Sequence, residues 1–157
     1  MHIDYLANHL DIVPIIAQWY YDEWAHLVPG RTLEQTGESI ARRAGTDRIP
    51  LSLVAFEGEE LIGTASTATY DMDGREDLSP WLVGVYIRDD WRGKGVGTQL
   101  VQAIERCMAE IGVPKLYLYT LTGEAFYLKL GWTVTERTVY QGCDVVIMEK
   151  SFSASWP

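Results

Sequence analysis

The residues best suited to chemistry lie in one short segment, Arg92-Gly93-Lys94-Gly95-Val96-Gly97-Thr98. Alternating glycines let a loop turn its backbone N–H groups toward an anion, because a phosphate can approach the backbone where no Cβ intrudes. Arg92 and Lys94 add full positive charge at the rim of such a loop. A helix beginning directly after the loop adds the partial positive charge of its N-terminus. The segment therefore predicts an anion-binding loop.

Two familiar phosphate-binding patterns fit this loop badly. A Walker A loop ends in Gly-Lys-Ser/Thr, which this segment lacks. The dinucleotide fingerprint Gly-x-Gly-x-x-Gly requires one more residue before Gly97, and no acidic residue ends the next strand to bind a ribose. A glycine-rich turn without a ligand would not need three glycines together with two basic residues. We therefore expect a phosphate ligand of another class.

The elements that position the loop are predicted from hydrophobic spacing. Residues 81–87 are apolar on both faces, as in a central strand. After the loop, apolar residues recur at helical spacing up to Ile111, and Gly112 and Pro114 close that helix. A second apolar strand at 116–121 completes a β-loop-α-β unit, which makes the two strands parallel.

The rest of the chain is predicted to form helices and hairpins around that unit. An opening strand at 1–5 precedes a helix at 11–27. A second helix begins at Thr32, which forms a capping-box pattern with Gln35, and ends at about Gly45. The remaining elements are strands at 51–56 and 61–70, a short helix at 124–130, and a final hairpin of 132–140 and 144–150. With no repeat or linker, we predict one domain over residues 1–150 and a short C-terminal tail at 151–157.

Two motifs relate the chain to a known family. Arg92, Gly95 and Gly97 match Arg-x-x-Gly-x-Gly, and residues 126–132 read Phe-Tyr-Leu-Lys-Leu-Gly-Trp. Over residues 81–132, and in element order over nearly the whole chain, the sequence resembles the GNAT superfamily of N-acetyltransferases. The resemblance implies a single-domain α/β GNAT fold. Its mixed, mostly antiparallel sheet would have about six to seven strands, splayed at the centre and flanked by about four helices.

The resemblance implies acetyl-CoA as the cosubstrate. Its pyrophosphate would bind the backbone N–H groups of Gly93, Lys94, Gly95, Val96, Gly97 and Thr98, with Arg92 beside them. Backbone groups of Val85, Tyr86 and Ile87 would bind the pantetheine arm like an added strand and polarise the thioester carbonyl. Tyr127 matches the family tyrosine near the thiolate and would be the catalytic general acid. Its alternative role is packing within a short helix.

The proton acceptor is left open by the sequence. Some family members carry a glutamate on the central strand where this chain has Trp81. A primary amine is mostly protonated at neutral pH, so some group must accept its proton. Asp77, Glu76 or Ser79, acting through water, are the candidates, and a solvated turn is the alternative for all three. The family asparagine before the tyrosine helix is also absent, since residues 120–123 read Thr-Leu-Thr-Gly.

The family's acceptor site lies between the first two helices and the end of the sheet. This chain places Asp22, Glu23 and Trp24 in that region, and carboxylates beside an aromatic face suit a cation. We expect these three residues and Asp77 to bind the acceptor. Trp19 and Tyr20 are expected to be core residues instead.

The charge distribution favours a cationic, amine-bearing acceptor. The net charge is −9, and residues 1–80 contain 14 acidic and 5 basic side chains, whereas residues 81–157 contain 8 of each. The alternative is an acidic surface that serves only solubility. An acidic protein repels phosphates, so we predict neither a nucleic acid nor a membrane as partner.

The amino-acid composition indicates the general class of protein and its expected location. A chain of 157 residues with 47% hydrophobic residues is typical of one soluble globular domain. Its apolar runs are too short to span a bilayer, and its first residues lack a secretory signal, so the expected location is the cytoplasm. Cys107 and Cys143 form neither a CxxC motif nor part of a ligand cluster, and no metal site is predicted.

We therefore expect an N-acetyltransferase that moves an acetyl group from acetyl-CoA to a primary amine of a small molecule by direct attack. Acetylation of protein or peptide N-termini or lysines is the first alternative. The second is a non-catalytic acyl-CoA sensor, which the missing glutamate favours and Tyr127 disfavours. Whether the chain forms a homodimer is left open.

Overall fold

The computed structural model describes residues 1–152. Within them, the strands form one sheet in the order β1-β2-β3-β4-β5-β7-β6. The strands are β1 His2–Tyr5, β2 Ser52–Glu57, β3 Glu60–Ala68, β4 Trp81–Ile87, β5 Lys115–Thr120, β6 Thr133–Tyr140 and β7 Cys143–Ser151. The α-helices are α1 Val13–Trp24, α2 Leu33–Ala41, α3 Val96–Glu110 and α4 Glu124–Lys129. The sheet is mixed, because β4 and β5 are parallel while the other neighbouring strands are antiparallel.

The two N-terminal helices are shorter than predicted. Short 3₁₀ turns precede and follow α1, and its first turn contains Pro14, which has no N–H to donate. The predicted capping box of α2 is confirmed, because Thr32 Oγ1 accepts from the Gln35 N–H at 3.0 Å and Gln35 Oε1 accepts from the Thr32 N–H at 2.9 Å. Helix α2 ends at Ala41 rather than near residue 45, since residues 44 and 45 bridge to Leu51.

The helices cover both faces of the sheet. In β2, Leu53 and Ala55 belong to the core packed on α3, whereas Val54 and Phe56 belong to the core packed on α1 and α2. Successive side chains of a strand point to opposite faces, so this alternation buries β2 on both sides. Strand β4 is central in the sheet, as predicted.

The sheet splays between β4 and β5, as predicted. The two strands pair at Trp81 and Tyr117 and then separate. A bulge in β4 accompanies the separation, because Val83 lies opposite Ser66 whereas Tyr86 lies opposite Thr64, which leaves an extra residue on β4. Gly84 lies in the bulge with a φ of +60°. The gap opens toward the segment that follows β4.

The folded domain extends slightly beyond its predicted end at residue 150. Strand β7 continues to Ser151, and the N–H of Phe152 donates to the Pro114 carbonyl at 2.8 Å. Residues 153–157 of the predicted tail lie outside the described residues. No helix within residues 1–152 combines the length and the apolar character needed to cross a membrane.

Candidate active site

A cleft of about 1240 Å³ follows β4 from one end to the other. Residues 91–93 and 95–98, which follow the C-terminal end of β4, line one extremity, here named the loop end. Residues 70–73 and Glu76, which precede the N-terminal end of β4, line the other, here named the acidic end. The seven residues of β4 separate the two ends by about 20 Å.

The glycine loop leaves backbone donors available at the loop end. Gly93 and Gly95 have φ angles of +74° and +86°, and a Cβ added to either would extend into open space. The first bond of α3 runs from the Gln99 N–H to the Gly95 carbonyl at 3.1 Å, and no side chain caps the helix. The N–H groups of residues 96–98 therefore have no acceptor within the helix. The loop has the donors and the room that a phosphate requires.

The two basic residues of the loop take different positions. Arg92 lines the cleft, and its Nε donates to the Ile87 carbonyl at 2.9 Å while its guanidinium lies 5.3 Å from the centre of the Tyr86 ring. Lys94 is not among the residues that line the cleft, and its ammonium lies 4.9 Å from the Trp91 ring centre. Of the predicted loop contacts, the structure therefore places Arg92 in the cleft and Lys94 outside it.

The bulge in β4 turns backbone groups into the gap. The Arg88 N–H donates to the Ile62 carbonyl at 2.9 Å, so the backbone of residue 88 faces β3. By strand alternation, the backbone groups of Val85 and Ile87 face the gap, and those of Tyr86 face β3. The Ile87 carbonyl already accepts a hydrogen bond from Arg92 Nε. The backbone N–H and C=O of Val85 are therefore the groups left for a ligand.

Tyr127 lies on α4 with its side chain buried in the wall of the cleft. Its ring packs against those of Phe126 and Trp132, with centroids 4.9 and 6.0 Å apart. Gly123 makes room for the ring, because a Cβ there would lie 3.2 Å from Tyr127. Burial raises the pKa of the Tyr127 hydroxyl to about 12, so this hydroxyl is a donor at neutral pH.

Of the three predicted proton acceptors, Glu76 lines the cleft, whereas Asp77 and Ser79 do not. The Asp77 carboxylate pairs with Arg75 at 3.2 Å, the Ser79 hydroxyl donates to the Thr69 carbonyl, and neither residue lines the cleft. Glu76 lines the acidic end and accepts from the Gly74 N–H at 3.3 Å. Trp81, at the position of the family glutamate, is fully buried, with its Nε1 donating to the Leu78 carbonyl at 2.7 Å.

Asp71 is a carboxylate that the sequence analysis missed. It lines the acidic end and is half-buried, whereas Asp73, Glu76 and Asp77 in the segment that follows are exposed. Burial raises the pKa of the Asp71 carboxyl to about 7, the Arg43 guanidinium opposes this rise, and the Asp73 carboxylate adds to it. Asp71 can therefore exchange a proton near neutral pH. In the sequence it was one of several acidic residues in a turn, and the buried Met72 beside it was the only local signal.

Of the three predicted acceptor-binding residues on α1, two line the cleft and one does not. Glu23 and Trp24 line the cleft, and the Trp24 ring lies 5.0 Å from that of Tyr20 and 6.0 Å from that of Tyr86. Asp22 does not line the cleft, and its Oδ1 accepts from Gln18 Nε2 at 2.7 Å on the exposed side of α1. Tyr20 is buried in the core between α1 and β4, as predicted.

Comparison with known proteins settles the family. The model of the acetyltransferase (GNAT) family matches residues 13–132, which cover α1 to α4 and both sequence motifs. The chain belongs to the GNAT acetyltransferase family. It is therefore an acetyltransferase, and the sequence resemblance is confirmed. The search of curated proteins found no match to this chain.

Solved structures share the fold of this acetyltransferase at low sequence identity. An aminoglycoside 6'-N-acetyltransferase complexed with coenzyme A superposes with a TM-score of 0.76 at 16% identity, covering 96% of this chain and 97% of that one. A ribosomal-protein-alanine N-acetyltransferase from Brucella melitensis gives 0.74 at 21%, covering 97% and 100%. The PaiA N-acetyltransferase from Thermoplasma acidophilum, in complex with coenzyme A, gives 0.68 at 23%, covering 97% and 100%.

The cleft of the acetyltransferase is also lined by Arg31, Arg43 and Lys129, and of these Arg43 is a group that the sequence analysis did not single out. Its side chain lines the cleft, and its Nη1 is buried without a hydrogen-bond partner among the described residues. Within residues 1–152, no three His, Cys, Asp or Glu side chains come together as metal ligands.

Proposed function

We propose that this acetyltransferase moves an acetyl group from acetyl-CoA to a primary amine of a small molecule. The observation that carries the proposal is that one cleft joins the open donors of the glycine loop, the buried Tyr127 hydroxyl and the Asp71 carboxyl. An anion site, a proton donor and a proton acceptor are what amine acetylation from a nucleotide thioester requires.

The loop end fits coenzyme A by its own geometry. The space above Gly93 and Gly95, into which a Cβ would extend, leaves the first N–H groups of α3 open to a pyrophosphate. The free backbone groups of Val85 suit an extended arm along the gap. When bound, acetyl-CoA supplies a thioester whose C–S bond breaks as the acceptor nitrogen forms an amide with the acetyl carbon.

Asp71 and Tyr127 are assigned opposite proton roles. Asp71, with a pKa near 7, accepts the proton that the amine must lose, directly or through water. Tyr127 keeps its proton at neutral pH, because burial raises its pKa to about 12, and donates it toward the leaving sulfur. A thiol has an ordinary pKa of about 8.5, so full proton transfer from Tyr127 is uphill and hydrogen bonding is its main contribution.

The acidic end favours a small acceptor over a polypeptide. The Tyr140 hydroxyl accepts from the Asp73 N–H at 3.1 Å, and Arg75 Nη1 pairs with Glu136 at 3.0 Å. Both contacts join the segment before β4 to β6, and Asp73 and Tyr140 themselves line the cleft at this side. Peptide acetylation is the second candidate, and the Brucella structure of similar fold is named for such a substrate.

Mass spectrometry after incubation with acetyl-CoA tests the proposal. The panel contains small amines, amino acids, aminoglycosides, polyamines and peptides, and the readout is an added acetyl group together with free thiol. We expect acetylation of at least one small primary amine. Acetylation of peptides alone would support the second candidate, and acetyl-CoA binding without any transfer would indicate a sensor.

A further inference from the structure

Arg43 presents to the cleft a buried N–H donor without an acceptor, counted within residues 1–152. It follows α2, lines the cleft, and has its Nη1 buried without a hydrogen-bond partner within residues 1–152. A guanidinium does not lose its proton in proteins, and a buried N–H donor without an acceptor costs stability. Asp71 in the same cleft can reduce its own charge by holding a proton near neutral pH. Arg43 keeps its charge, and although it interacts electrostatically with Asp71, its Nη1 has no acceptor within residues 1–152 and can therefore bind an anion that enters the cleft.

The position of Arg43 separates it from the coenzyme A phosphates. The next residue, Ala44, bridges to Leu51, whose carbonyl accepts from the Thr67 N–H at 2.8 Å. The residue after Thr67, Ala68, lies opposite Trp81 at the start of β4. Arg43 therefore lies at the acidic end, about one strand length from the glycine loop.

The geometry points to an acceptor that carries a carboxylate on the same small molecule as its amine, with Arg43 as the residue that binds this carboxylate. The inference rests on the proposed function and names its substrate class. A guanidinium presents paired N–H donors that match the two oxygens of a carboxylate. With the carboxylate held there, the amine of a small amino acid lies in the same end of the cleft as Asp71.

The charges at the acidic end favour this class over a simple cation. Asp71 and Glu76 suit an ammonium group, as the net charge of the sequence predicts. A diamine or polyamine would bring a second positive charge toward Arg43, which is unfavourable unless that charge stays in solvent. A molecule with opposite charges at its two ends satisfies both sides of the cleft.

Matched substrates and variants test the inference. Each small amino acid is compared with its primary amide and with the decarboxylated amine of the same side chain. The variants are Arg43→Met, which keeps length but removes charge, Arg43→Lys, which keeps the charge, and Arg42→Met as control. Arg42 is exposed and lines a separate shallow depression with Val28 and Gly30.

We expect Arg43→Met to lower kcat/KM for the amino acid about 10- to 100-fold, mainly through KM, as is typical for loss of a hydrogen-bonded charged group. Arg43→Lys should retain part of the activity, Arg42→Met all of it, and Arg43→Met should leave the decarboxylated amine nearly unaffected. Equal use of all three substrates by the wild type would overturn the inference. So would an equal loss on all three in Arg43→Met, which would indicate a structural role.

Calorimetry separates failure of this inference from failure of the proposed function. Binding of the amino acid is measured with coenzyme A present and without turnover, for the wild type and Arg43→Lys as well as Arg43→Met. If no amine is acetylated, the proposed function is wrong, but weaker amino-acid binding in Arg43→Met still supports the carboxylate site. Equal binding by folded wild type and variants overturns it.

Discussion

The phenolic hydroxyl of Tyr20, on α1, donates a hydrogen bond to the backbone carbonyl of Gly84, in the bulge of β4. The two residues are 64 positions apart in the sequence. A Cβ on Gly84 would meet the Tyr20 side chain, and the φ of +60° at Gly84 also favours glycine. The bond joins the helix that carries Trp24 to the strand segment that turns Val85 into the gap.

Replacing Tyr20 by phenylalanine should loosen this segment. The change leaves the Gly84 carbonyl without its donor, so we expect about 1 kcal/mol less stability and a higher KM for acetyl-CoA. Denaturant unfolding and steady-state kinetics measure the two effects. Tyr21→Phe is the control for the stability effect, because Tyr21 is exposed on the same helix. An unchanged KM with reduced stability would limit the role of the bond to folding.

Gly95→Glu should block coenzyme A binding in a folded protein. The new side chain would extend into the open space above the loop and place a negative charge beside the first N–H groups of α3. We expect affinity for coenzyme A to fall at least about 10-fold, measured by calorimetry. Gly58→Glu is a matched control, since Gly58 has a φ of +61°, open space around it, and a position in the β2–β3 turn. Equal affinities in the two variants would contradict the phosphate assignment.

Local pattern was sufficient to predict most of the fold. Strand β4 matches its predicted range of residues, and the Thr32 capping box and the C-terminal hairpin also lie where spacing and turn residues place them. These features depend on neighbours within a few positions. Helix α2 ends early because residues 44 and 45 bridge to Leu51, a contact that periodicity does not report.

The charged groups of the site were harder to predict, because their roles depend on contacts between distant segments. Asp71 and Asp77 lie in one turn, yet Asp77 pairs with the neighbouring Arg75 while Asp71 is half-buried in the cleft. Arg43 is distinguished by a buried Nη1 that has no acceptor among residues 1–152, and Arg42 beside it is exposed. The glycine loop was predictable because its function depends on backbone and on local sequence.

Tyr127→Phe should lower kcat while acetyl-CoA still binds. The ring would keep its packing against Phe126 and Trp132, so only the donor is lost. We expect a decrease of about 10²-fold, the low end for general acid–base catalysis, because the raised pKa of this tyrosine makes it a weak acid. Pre-steady-state measurement of thiol release checks the chemical step. A variant as active as the wild type would leave Tyr127 with a packing role.

Asp71→Asn should remove the proton acceptor. The carboxyl accepts a proton only when ionised, so kcat/KM of the wild type should rise with pH through about 7. In the variant we expect activity at least about 10²-fold lower and no inflection near pH 7. The remaining rise in kcat/KM with pH should reflect deprotonation of the substrate amine. Asp77→Asn is the control, because Asp77 is an exposed carboxylate in the same segment and does not line the cleft. An inflection that persists in Asp71→Asn would assign the titration to another group.

The Asp71→Asn substitution should also change how stability depends on pH. Relative to the wild type, the variant should gain stability as pH rises from acid to neutral. The ordinary pKa of an aspartate is 3.8, and burial raises that of Asp71 to about 7 in the folded protein. Between these values unfolding releases a proton from Asp71, so the contribution of Asp71 to wild-type stability falls as pH rises from about 4 to about 7 and then levels off. Asparagine does not titrate, so the variant does not lose this stability as pH rises. The Tm of Asp71→Asn minus that of the wild type should therefore increase across this window, whereas a difference independent of pH would contradict the raised pKa.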